Sequence, residues 1–153
     1  MKYEKQSVTT AAVVFILSLN CACAQTSGQD DNPTAIAVLQ AKVDQAQPRD
    51  RCFLYAELVS QMTDLAIRQV NSGDPGQVPE TLKLVSRYAE NIHLGVVDNS
   101  RKLKEAEMLV GHASFRLKGL HDEAASEDGP ALQETLKKLY QVQSQLLTQV
   151  FEK

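Results

Sequence analysis

The stretch VPETLKLVSRYAENIHLGVVDNSRKLKEAEMLVGHASFRLKGLHD, residues 78–122, carries the reading on which the architecture turns. Val78, Leu82, Val85, Ala89, Ile92, Val96, Asn99, Leu103, Ala106, Val110, Ala113, Leu117 and Leu120 follow one another at alternating steps of four and three. Such spacing keeps one seam on one side of a helix. Asn99 is the one polar member. Taken alone, the pattern permits a single helix of about 65 Å. Asp98-Asn99-Ser100 argues against it, because short polar side chains compete for backbone hydrogen bonds and favour caps and turns. Asn99 is therefore read as a turn residue, in preference to a buried asparagine that fixes the register of a coiled coil.

Outward from that break the chain divides into segments of nearly equal length, 50–72, 78–97, 100–122 and 130–151, each about 30–35 Å long as a helix. The first carries Tyr55, Leu58, Val59, Met62, Leu65, Ala66 and Val70, a stripe broad enough to meet more than one neighbour. SGDPG, residues 72–76, ends it: Gly73 suits the left-handed conformation and Asp74-Pro75-Gly76 suits a turn. The last segment carries Leu132, Leu136, Leu139, Tyr140, Val142, Leu146, Leu147, Val150 and Phe151. Ahead of all four, Asn32-Pro33 reads as a helix start, and Ile36, Leu39 and Val43 share a face until Pro48 intervenes. Asp50 is the expected cap of the helix that follows. No stretch alternates as a strand does. The prediction is all-α: an up-down four-helix bundle preceded by a short helix over 33–46, forming one domain across 33–153. The alternative keeps 78–122 as one long central helix flanked by antiparallel partners. Gly95, Gly111 and Gly119 fall inside predicted helices, each weakening its helix by about 1 kcal/mol relative to alanine.

The N-terminus reads as an export signal. Lys2 and Lys5 precede the apolar run Ala11–Leu19, too short for a bilayer, and Ala22-Cys23-Ala24 suits cleavage between Ala24 and Gln25. Residues 1–24 are the expected signal peptide and 25–32 a polar, flexible lead-in. A lipid anchor at Cys23 would want an aliphatic residue where Asn20 stands, which argues against it. Cleavage leaves Cys52 as the single cysteine, so the fold must stand on packing rather than disulfides. Cys52 reads as a small buried hydrophobe, with an intermolecular thiol bridge as the alternative.

Formal net charge is −3, and losing Lys2, Lys5 and Glu4 makes the remainder slightly more acidic. That balance argues against nucleic-acid partners, since phosphate binding needs concentrated Lys and Arg. The cluster Arg101, Lys102, Lys104 is followed at once by Glu105 and Glu107, the pattern of a solvated helix face.

Catalytic and cofactor motifs are sparse. Covalent haem needs Cys-x-x-Cys-His, which the chain lacks. A di-metal site in a bundle needs Glu-x-x-His on two helices. Glu90 and His93 supply one such spacing, but Leu109 and Lys118 stand three residues before His112 and His121. Those four, Glu90, His93, His112 and His121, are the candidate metal ligands, and neither a resident metal nor a cofactor is expected. His121, Asp122 and Glu123 are consecutive and fan around the helix axis. No nucleophile elbow or phosphate loop is present, so the expectation is a non-enzyme. Phe53, Tyr55, Tyr88, Phe115, Tyr140 and Phe151 read as core or core-edge packing. The functional expectation is a secreted or periplasmic helical protein acting through protein contacts, as adaptor, accessory or self-associating element. A ligand- or metal-carrying bundle of the cell envelope is the alternative.

Overall fold

Five α-helices and a 3₁₀ turn account for the described part of the chain, and no strand occurs among the described residues. The computed structural model describes residues 33–73, 75–95, 100–123 and 128–151. The proposed signal peptide, the Ala24/Gln25 cleavage point, Cys23, the lead-in 25–32, the Asn32 cap and Asn99 lie outside the described residues. The helices are α1 (Pro33–Gln45), α2 (Pro48–Asn71), α3 (Val78–Gly95), α4 (Leu103–Glu123) and α5 (Gly129–Phe151).

The start of α2 corrects one expectation. Pro48, not Asp50, sets it: the fixed φ of proline suits the first helical position, and Gln47 precedes it in extended backbone at φ −64°, ψ 147°. Asp50 instead lies in the first turn, where its charge faces the positive end of the helix dipole. At the far end, the N–H of Ser72 donates to the Arg68 carbonyl at 2.8 Å and Gly73 takes φ +73°. That left-handed residue stops the helix, as its sequence context implies.

The seam over 78–122 is buried at every described position, from Val78 at 0% to Leu103 and Leu120 at 7% exposure. It belongs to two helices. α3 ends at Gly95, and Ser100–Lys102 are not helical. The long-helix alternative is thereby set aside.

Packing partners define a square. α2 lies against α3 and α4, and α5 lies against the same two, leaving α2/α5 and α3/α4 as diagonals. Directions follow from particular contacts. The Tyr55 and Tyr88 rings stack at 6.2 Å, early α2 against late α3, so that pair is antiparallel. Arg101 pairs with Asp50 and Arg116 with Asp64, so α2 and α4 run parallel. Gln143 donates to Glu107 at 3.0 Å, so α4 and α5 are antiparallel. The chain thus alternates in direction while its α3–α4 connection crosses a diagonal.

That crossing is held to the start of α2. The Arg101 N–H donates to the Arg49 carbonyl at 2.8 Å, and the Lys102 ammonium sits 4.2 Å from the centre of the Phe53 ring. Lys102 adopts φ +55°, a left-handed conformation that costs a non-glycine residue about 1 kcal/mol or more. Its ring contact returns a comparable amount. Arg101 and Lys102 therefore serve the connection rather than a helix face, which corrects the reading of that basic cluster.

α2 is the most enclosed helix. From Cys52 to Val70 no residue is exposed, because α1, α3 and α4 all pack on it. Its innermost positions are mostly small, with Cys52, Ala56, Val59, Thr63 and Ala66 all at 0% exposure, which lets two neighbours approach together. Large side chains fill the opposing positions: Leu82, Ile92, Leu117, Leu132, Leu139 and Leu146 are all fully buried. Each contributes about 1.5–3 kcal/mol of burial. α1 lies across α2 and reaches α3, where the Gln40 amide donates to the Tyr88 hydroxyl.

Candidate interaction surface

The residues singled out for chemistry do not converge. Cys52 is at 0% exposure, and burial pushes its thiol up to about 11, so it is protonated at neutral pH and shielded from reagents. A bridge to a second chain would require α2 to leave the bundle. Glu90 is exposed on α3, and the His93 side chain lies outside the described residues. His112 is exposed on α4 beside Ser60, Phe115 and Arg116. His121 is half-buried near the end of α4. Among the described residues no group of three or more His, Cys, Asp and Glu side chains is placed to share a metal ion.

His121 lines a groove of about 800 Å³ between the end of α4 and the start of α5, with Lys118, Asp122, Gln133, Lys137 and Tyr140. Lys118 donates to Asp122 at 2.9 Å across one helical turn. That bond raises the Lys118 pKa and lowers that of Asp122. Both groups are fully exposed, so the pair is screened.

A second groove of about 380 Å³ lies where α1 crosses α2 and α3, between Asp44, Tyr55, Arg87 and Asn91. The Arg87 guanidinium stacks 5.6 Å from the Tyr88 ring centre there.

What the surface does carry is apolar. Met108 is 48% and Phe115 78% exposed on α4; Tyr140 is 45%, Leu147 37% and Phe151 81% exposed on α5. The expectation that these aromatics pack in or beside the core holds for Tyr88, Tyr55 and Phe53 and fails for Phe115, Tyr140 and Phe151. The reason is angular. Phe115 falls midway between seam residues Ala113 and Leu117, two positions from each, which at 100° per residue turns it to the far side of α4. Tyr140, Leu147 and Phe151 recur at steps of seven and four along one flank of α5, beside the buried line of Leu139 and Leu146.

α4 and α5 pack against each other, with Phe115 turned to the far side of α4 and Tyr140 beside Lys118, His121 and Asp122 in the groove between the two helices. A Cβ at Gly111 would stand 2.8 Å from the Gln143 amide nitrogen, the far end of a flexible side chain that can give way. Gln143 lies there and donates to Glu107. One turn beyond Phe115, Gly119 is exposed, and a Cβ on it would meet nothing within 4 Å. The outer side of α3 is mostly charged, with Glu80, Lys83, Arg87 and Glu90 exposed, and carries one exposed apolar side chain, Leu94, near its end. Of the large apolar side chains exposed among the described residues, Leu94 at 73% stands on α3 and Val38 at 50% on α1, and the others stand on α4 and α5.

No protein-family model matches this chain, and no curated protein or solved structure shows significant similarity to it. Among the described residues no helix is long and apolar enough to cross a membrane.

Proposed function

We propose that this is an exported helical protein that works through protein contacts, as an adaptor, accessory or self-associating element, with the outer face of the α4–α5 hairpin as its contact surface. The observation that carries the reading is the exposure of Met108, Phe115, Tyr140, Leu147 and Phe151 on one hairpin. Exposed apolar side chains gathered on one hairpin are a feature of interaction sites. Aromatic and methionine side chains are also the types enriched at protein interfaces. Export to the periplasm or the exterior rests on residues 1–24, with their basic start, short apolar run and small-residue cleavage site.

Two measurements test it. Intact mass and a thiol titration in denaturant read the N-terminus: cleavage before Gln25 leaves one titratable cysteine, Cys52, whereas an intact chain carries three. Sedimentation and affinity capture from the native envelope read the contacts. A strict monomer at high concentration that retains no partner overturns the reading.

The groove of about 800 Å³ between α4 and α5 favours a second reading, a small-ligand carrier. Thermal-shift screening with Zn²⁺, Cu²⁺, haem and small organic acids tests it. Absence of any shift, together with no bound metal or chromophore in protein purified from its native source, overturns it.

A further inference from the structure

We propose that the groove where α1 crosses α2 and α3 binds a small zwitterion, a free amino acid or short peptide, with Asp44 taking its ammonium group and Arg87 its carboxylate. The groove draws no lining residue from α4 or α5, so the proposal stands apart from the contact reading.

The chemistry of the walls supports it first. Of the eight residues that line the groove, only Val43 and Leu58 are apolar. Asp44 enters from α1, and Arg87 and Asn91 enter from α3. Among the described residues neither Asp44 nor Arg87 has an ion-pair partner. On its own helix Arg87 has Lys83 and Asn91 one turn away on either side, and Glu90 makes no pair with it. An acid and a base that border one groove from different helices, without neutralising each other, complement a molecule carrying both charges. A ligand of single charge would be opposed by one of the two. Asn91 adds a donor and an acceptor between the charges' hydrogen-bonding needs.

Preorganisation supports it independently. Tyr88 is 7% exposed, its hydroxyl accepts from the Gln40 amide, and the Tyr55 ring stacks on it at 6.2 Å. The Arg87 guanidinium lies over that held ring, 5.6 Å from its centre. Contact with a ring face leaves the planar fork of N–H donors for a carboxylate, which it matches in geometry. Ordering the side chain before the ligand arrives lowers the cost of binding.

Size sets the class. A volume of about 380 Å³ is at the low end for small-molecule sites, which suits an amino acid or dipeptide and not a haem.

Calorimetric titration tests it, using the protein purified from its native source and dialysed, beside Asp44→Asn and Arg87→Gln. The probes are the free L-amino acids, glycyl dipeptides, and the N-acetyl and C-terminal amide forms of whichever binds. At least one zwitterion is expected to bind, and whether it is an amino acid or a dipeptide reads the spacing of the charges. Each substitution and each blocked form is expected to weaken binding by about tenfold or more, the loss of a charge-assisted hydrogen bond. The losses should also pair. Asp44→Asn should no longer distinguish the free from the N-acetylated form, and Arg87→Gln should no longer distinguish the acid from the amide. A merely structural role for either residue would not produce that matching. Melting should be unimpaired, because both side chains are exposed. Should one variant fail to fold, the other with its matched analogue still reads the site. No binding by any probe up to millimolar, tighter binding of a singly charged form, or binding indifferent to both substitutions overturns the inference and leaves the hairpin reading as it stands.

Discussion

Phe115 and Leu117 are two residues apart on α4, one 78% exposed and the other at 0%. Their truncations should separate cleanly. Leu117→Ala removes a fully buried side chain and is expected to cost about 2–5 kcal/mol in denaturant unfolding. Phe115→Ala, measured in dilute solution where no partner is bound, should fall within about 0.5 kcal/mol of the wild type. Glu57 poses a different question at the same scale. Burial raises its carboxyl pKa, and the charges of Lys102 and Lys42 oppose the shift without cancelling it. The folded chain therefore holds this proton more tightly than the unfolded chain does. Its contribution to stability is greatest below the ordinary carboxylate range and is lost as pH rises through and just above it. Glu57→Gln should accordingly be more stable than the wild type at pH 7, with the advantage gone in acid. Paired urea unfolding at the two pH values checks the sign.

At the scale of the helix, two glycines ought to respond oppositely to alanine. Gly119 is exposed within α4 with open space around its Cβ position, so Gly119→Ala should stabilise the monomer by about 1 kcal/mol. Gly73 has equal space but sits at φ +73°, so Gly73→Ala should destabilise by about 1 kcal/mol or more. Thermal melts of both decide the matter. Periodicity made the helices themselves legible. Every described seam residue from Val78 to Leu120 is buried, and the breadth of the α2 stripe matches a helix with three neighbours. Three other features were not legible in the same way. Pairing across the square depends on how the α3–α4 connection runs, and Arg101 and Lys102, which hold it to Arg49 and Phe53, look like solvated charges until the chain is folded. The exposure of Phe115 was implicit in its angle from the seam, but residue type pulled the reading toward the core. Ala56 was hidden by its small size, although it lines the innermost face of α2 beside Cys52, whose burial was expected.

Across the whole molecule the distribution of apolar groups is uneven. The bundle encloses α2, leaves charged side chains on the outer side of α3 and keeps the exposed rings on α4 and α5. Nothing in the packing of the monomer requires Phe115 or Phe151 to be apolar, which is why the contact reading is preferred to one centred on the dispersed histidines. No set of metal ligands assembles among the described residues to compete with it. The alternating direction of the helices, with α3–α4 crossing the diagonal, places the α4–α5 hairpin as one continuous side of the square. A two-helix face is suited to meeting another helical surface. Hydroxyl-radical footprinting in the native cell extract, compared with dilute purified protein, tests the claim most directly. The account predicts that Met108, Phe115, Tyr140 and Leu147 are protected in the extract while Tyr55 on α2 is unchanged; equal modification of the four in both settings would contradict it.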